Sequence, residues 1–172
     1  LGAFVIPLVF VVLLFSAFLS KETTLVPESE VHFWLTMHRT LSIMGYAAFS
    51  IAFAAGIMYL IQEHQVKTKK LGIMYFRMPS LEVLDDLNFK VIMIGFPLFT
   101  LGFMTGSIQN TEMNQPFFSW DLTRTLPLVV TWLIYCLVFF GRMVVGLRGK
   151  KAAQGAILGF VTVVGTYFLH IL

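Results

Sequence analysis

"FWLTMHRTLSIMGYAAFSIAFAAGIMYLI" occupies residues 33–61, and its only formal charge is Arg39. A run this apolar is longer than the ~20 residues that cross ~30 Å of hydrocarbon. Lipid offers the backbone no hydrogen-bond partners, so the run must close its own bonds as a helix. The same test applied outward finds about five such spans. They are residues 2–19, 33–61, 89–108, 126–145 and 152–172. The expected fold is all-α: a polytopic transmembrane helix bundle, with residues 1–172 forming a single transmembrane domain. Composition agrees, with 58% hydrophobic and 12% charged residues, against about a quarter charged in a soluble domain.

Lys and Arg set the orientation. One side receives Lys67, Lys69, Lys70, Arg77 and Lys90 from one loop, and Arg142, Arg148, Lys150 and Lys151 from another. The other side receives Lys21, Arg39 and Arg124. The basic loops are therefore expected in the cytoplasm of a bacterial inner membrane, and residues 109–125 on the periplasmic side. The basic residues punctuate spans rather than forming a patch, which argues against nucleic acid as a partner. The first run, "LGAFVIPLVFVVLLFSAFLS", has neither a basic start nor a small-residue cleavage site, and reads as a span rather than a signal peptide. The chain starts at Leu1 without a Met, as a fragment of a longer polypeptide would.

In "MPSLEVLDDLNFK", Ser80 reads as a helix N-cap with Glu82 in the first turn. Leu81, Leu84 and Leu87 share a face, so a short amphipathic helix is expected in the headgroups, leading into the third span. Asp85 and Asp86 read as solvated. Rows of small residues mark close helix packing: Gly102 with Gly106, Ala48 with Ala52 and Gly56, and Gly155 with Gly159. Pro97 and Pro127 are expected to kink or shorten their helices.

Chemistry-bearing residues are few. The single cysteine, Cys136, excludes an internal disulfide and a cysteine-based metal site. There is no His-Glu-x-x-His, no Ser/His/Asp set and no phosphate loop, so no catalytic activity is expected. His64 reads as a surface residue, His32 as part of an interfacial belt and His170 as a terminal residue. His38 lies one to two turns inside the outer boundary and is followed by Arg39. Imidazole at such a depth ligates a metal or haem iron, or else belongs to a His–Arg pair that snorkels to the headgroups. Phe117, Phe118 and Trp120 read either as an aromatic shelf suited to a planar macrocycle or as an interfacial belt. Asp121 and Arg124, three apart, are placed to pair.

Nearly the whole chain resembles the haem-handling membrane proteins of cytochrome c biogenesis. The resemblance is carried by "LGAFVIPL", "HRTLSIMGYAAFSIAFAAGIMYLIQEHQVK", "MPSLEVLDDLNFKVIMIGFPLFTLGFMTG", "SWDLTRT…TWLIY" and "LRGKKAAQGAILGF". It implies a periplasmic tryptophan-rich segment that presents haem, taken here as haem b, to apocytochrome c. Ser119, Trp120 and Asp121 match that segment, His38 matches the family's span histidine, and Trp132 and Tyr135 match the Trp-Leu-x-Tyr that follows. The chain departs from the pattern at Asn114, Phe118, Leu122 and Arg124, and Phe140 stands where the resemblance places a histidine.

The leading expectation is thus an assembly protein that holds haem between His38 and the shelf, with Arg39 or Arg124 on the propionates. Its partners are haem, lipid and other membrane proteins of a cytochrome assembly or respiratory complex. Two alternatives stay open: a structural subunit of a respiratory or photosynthetic complex, and a regulator of a haem-synthesis enzyme.

Overall fold

The computed structural model describes residues 33–69, 72, 75, 77–112 and 122–171, with side chains except at 109–112, 122–124 and 166–171. Among the described residues there are four helices and no strand. They are α1 (Phe33–Thr68), α2 (Leu81–Glu112), α3 (Leu122–Met143) and α4 (Lys150–Ile171). The expected span at 2–19 lies outside the described residues.

Helix α1 has 36 residues and α2 has 32, or about 54 and 48 Å at 1.5 Å per residue. Both outrun the hydrocarbon, so their ends project into the headgroups and beyond. Among the described residues, three helices are long and apolar enough to cross a membrane: Phe33–Thr68, Leu81–Ile108 and Thr125–Met143. The chain is an integral membrane protein of the helical kind.

Local chemistry sets the helix ends. Lys69 takes a left-handed φ of 55° and its amide returns to the Val66 carbonyl, which stops α1. Ser80 caps α2 as expected: its Oγ accepts from the Val83 amide at 3.4 Å and its carbonyl from Leu84. The amphipathic segment is not a separate headgroup helix, however. It forms the first turns of α2, and Leu84 is fully buried in the bundle. Both Pro97 and Pro127 sit inside helices that continue past them.

The core is aromatic and tightly seated. Phe49 of α1 stacks on Tyr135 of α3, with centroids 3.5 Å apart and planes within 5°. The Tyr135 hydroxyl donates to the Ala156 carbonyl of α4 at 3.3 Å. Phe96, Phe99, Ile92, Phe160 and Val163 fill the space around this pair. All three small-residue rows pack as expected. A Cβ on Gly95 would stand 2.7 Å from that of Ala48, one on Gly56 3.0 Å from the Ala153 carbonyl, and one on Gly159 2.6 Å from the Tyr135 ring.

Candidate functional site

Neighbouring helices run antiparallel, so the bundle has two distinct ends. His38 and Ser42 of α1 lie against Gly102 and Gly106 of α2. Farther along, Trp132 of α3 meets Thr100 of α2, and Arg142 meets Asp85 and Asn88. The carboxyl end of α2 and the amino end of α3 thus share the His38 end. The α3–α4 turn, with Arg148 and Lys150, lies at the opposite end.

At the first end, small residues make room for a ring. A Cβ on Gly106 would stand 2.7 Å from His38 Nδ1, and one on Gly102 would meet the Ser42 hydroxyl at 2.7 Å. Only glycine at both positions lets α1 approach closely enough for the imidazole to lie on the α2 backbone. His38 Nδ1 is 2.7 Å from the Gly102 carbonyl oxygen. That oxygen only accepts, so Nδ1 carries the proton, and in the neutral ring Nε2 holds the lone pair. Ser42 Oγ lies 3.5 Å from the same nitrogen. Among the described residues none takes Nε2 as a hydrogen-bond partner. A histidine anchored through Nδ1–H to a carbonyl, with Nε2 left over, has the outer-shell arrangement usual for metal-bound imidazole. Arg39, the next residue, is exposed.

Other site candidates fall outside this description. Phe117, Phe118, Ser119, Trp120 and Asp121 are not among the described residues, nor are His32 and the Arg124 and His170 side chains. Trp132 and Tyr135 are packing residues: Trp132 donates Nε1–H to Thr100 Oγ1 at 3.1 Å and leans on Phe96, while Tyr135 sits in the core. Phe140 is 52% exposed on α3, half a turn before Arg142 and at the opposite end from His38.

At the second end the structure reveals a cluster that the sequence reading overlooked. Arg142 is not a loop cation, and Asp85 is not simply solvated. The Arg142 side chain is 3% exposed and that of Asp85 19%. Nη2 donates to Asp85 Oδ1 at 3.1 Å and to the Asp85 carbonyl at 2.9 Å, and Nη1 donates to Asn88 Oδ1 at 3.0 Å. Asn88 Nδ2 continues to the Ala52 carbonyl of α1 at 2.9 Å. Asp85 Oδ1 also accepts the Gly149 amide at 3.1 Å, which ties down the α3–α4 turn. Gly149 needs its own identity, with φ at 66° and the Tyr59 hydroxyl where a Cβ would sit. The guanidinium lies 5.1 Å from the centroid of the Phe89 ring. Two sequence signals pointed here: Asp85 and Asn88 three apart on the Leu84 side of α2, and a lone arginine closing an apolar run.

Among the described residues no group of three or more His, Cys, Asp or Glu side chains is placed to hold a bare metal ion.

The family model described as cytochrome C assembly protein matches residues 1–172. The cytochrome c biogenesis protein CcsA of Guillardia theta is 30% identical, over 95% of this chain and 60% of its own length. CcsA of Chlamydomonas reinhardtii is 32% identical, over 95% of this chain and 46% of its own. Protein HemX of Bacillus subtilis is 30% identical, over 78% of this chain and 49% of its own. The chain thus spans about half the length of these curated relatives. No solved structure matches it. On the match along its whole length and the likeness to these relatives, the chain belongs to the cytochrome c assembly protein family.

Proposed function

We propose that this chain handles haem for cytochrome c assembly, with His38 as an axial iron ligand through Nε2. The observation that carries the reading is the His38 slot: Nδ1–H fixed on the Gly102 carbonyl, Gly106 cleared for the ring, and Nε2 uncommitted among the described residues. Haem suits such a site because the porphyrin supplies four nitrogen ligands itself, so one imidazole suffices to anchor iron. The relatives named for cytochrome c biogenesis support the same assignment.

In this reading the haem is haem b, and it lies at the outer face of the bilayer. Trp120, Phe117 and Phe118 stack on its face, and Asp121 sets the edge of the shelf. Arg39 or Arg124 pairs with a propionate. The basic end faces the cytoplasm, or the equivalent compartment of an organelle, because Lys67, Lys69, Arg148, Lys150 and Lys151 gather there even without the buried Arg142. Residues 1–172 form a single transmembrane domain, in which residues 2–19 add a further span. The chain presents haem and does no chemistry of its own. Its partners are other membrane proteins of a cytochrome assembly or respiratory complex.

The test is the absorption spectrum of the detergent-purified chain supplied with haem. A Soret band is expected that is lost in His38→Ala and partly restored by added imidazole, with the melting temperature little changed. A band indifferent to His38→Ala overturns the ligand assignment. A chain that takes up no haem but co-purifies with cytochrome subunits selects a structural role instead.

A further inference from the structure

A second feature lies at the basic end, between α1 and the start of α4. A cavity of about 220 Å³ opens there, lined by Leu60, Glu63, His64 and Lys67 of α1 and Lys150 of α4. Lys67 donates to Glu63 Oε1 at 2.6 Å, which places its ammonium at the rim and leaves two of its N–H bonds for another acceptor. Lys150 opens α4, and both it and Lys67 are exposed. Two lysines and one carboxylate line the cavity, so it keeps an excess positive charge. Arg148 and Lys151, also exposed, add to the field on the same turn.

The wall changes character along the helices. Gly56 packs on the Ala153 carbonyl and the Ile157 side chain, and Phe53 leans on Phe160 at 4.7 Å between centroids. Leu60 forms the step between this apolar seam and the cations. Cations above an apolar helix seam at the edge of a span match an amphiphile with an anionic head and an acyl tail. We infer that this cavity holds the headgroup phosphate of an anionic glycerophospholipid, with Lys67 and Lys150 on the phosphate and the acyl chains in the surrounding hydrocarbon beyond Leu60. Basic pockets between transmembrane helices recognise such headgroups, and each Lys near an anionic surface contributes about a fivefold gain in binding. Inorganic phosphate lacks the tail, and phosphatidylcholine lacks the net charge, so each satisfies only half of the site.

Thermal unfolding of the full chain in detergent tests the inference. Phosphatidylglycerol, phosphatidylcholine and inorganic phosphate are titrated separately. Phosphatidylglycerol is expected to raise the melting temperature, with phosphatidylcholine giving a smaller shift and inorganic phosphate none. Lys67→Gln and Lys150→Gln should each weaken the phosphatidylglycerol response about fivefold, and the double variant about twenty-fivefold. The control is Lys90→Gln, on α2, whose lysine is exposed and paired with Asp86 at 2.7 Å. It should leave the response unchanged. Equal shifts from the two lipids overturn the proposal. So does a response that survives the double variant, or one that falls as far in Lys90→Gln.

Discussion

At one end of the bundle Arg142 commits both terminal guanidinium nitrogens to Asp85 and Asn88. At the other, His38 commits one ring nitrogen and keeps the other. Both groups are polar side chains within apolar helices, and both are anchored to a backbone carbonyl of α2. The difference lies in what is left over. Arg142 joins α2, α3 and, through Asn88 and Gly149, α1 and the α3–α4 turn. That is a structural clamp. His38 touches α2 alone among these contacts, in a slot cleared by Gly102 and Gly106. An interaction used up within the fold buys stability, whereas one held in reserve is available for a ligand.

The largest expected effect follows from the clamp. Arg142→Met takes the guanidinium from the Asp85 carboxylate and the donor from Asn88 Oδ1, in a site where the Arg142 side chain is 3% exposed. The loss should be about 3–5 kcal/mol, seen as early unfolding in a denaturant titration of the detergent-solubilised chain. The double variant Arg142→Met, Asp85→Leu should recover much of it, since the orphaned carboxylate leaves with its partner. His38→Ala loses one hydrogen bond at a half-buried position, on the order of 1 kcal/mol. If the two single variants unfold alike, the distinction between clamp and reserve fails.

The glycines sharpen the contrast at the next level. Gly159→Val drives a branched side chain into the Tyr135 ring, which is fixed by its stack on Phe49 and by the Ala156 carbonyl. Overpacking there should cost about 1–3 kcal/mol, measured by thermal unfolding, with the haem spectrum retained in the molecules that fold. Gly106→Val meets the His38 ring instead, which is only half-buried and has room to swing. Stability should fall less than in Gly159→Val, while the Soret band is lost, because the displaced ring no longer aims Nε2.

The helices themselves were legible because hydrocarbon permits so few backbone solutions. The span expected at 33–61 lies within the helix Phe33–Thr68, whose extra turns run through Gln62 and Lys67 into the headgroups. The expected headgroup helix was misplaced for a definite reason. Leu81, Leu84 and Leu87 do make an apolar stripe, but periodicity does not say whether lipid or protein covers it. Leu84, Asn88 and Ile92 turn out to be one buried face of α2. Asp85 was misread because an acidic pair in a basic loop looks solvated until Arg142, 57 residues away in sequence, is brought beside it. His38 was legible as a candidate from depth alone. Its tautomer was not, since that depends on a carbonyl 64 residues distant.

The smallest expected effect probes whether Trp132 belongs to the core or to the site. Its Nε1–H donates to Thr100 Oγ1, and that hydroxyl already donates its own proton to the Phe96 carbonyl at 2.8 Å. Trp132→Phe therefore strands only one hydroxyl lone pair, and the substituted ring can still lean on Phe96. The cost should be about 1 kcal/mol or less, read as a small drop in melting temperature. The haem spectrum should not move, because the tryptophan sits on the inner flank of the bundle, against Phe96 and the core cluster. A Soret band that shifts or vanishes in Trp132→Phe while stability holds would move this residue from packing to ligand contact. The reserve end would then reach past Gly102 to the level of Thr100, and haem would have to lie between α2 and α3 rather than above them.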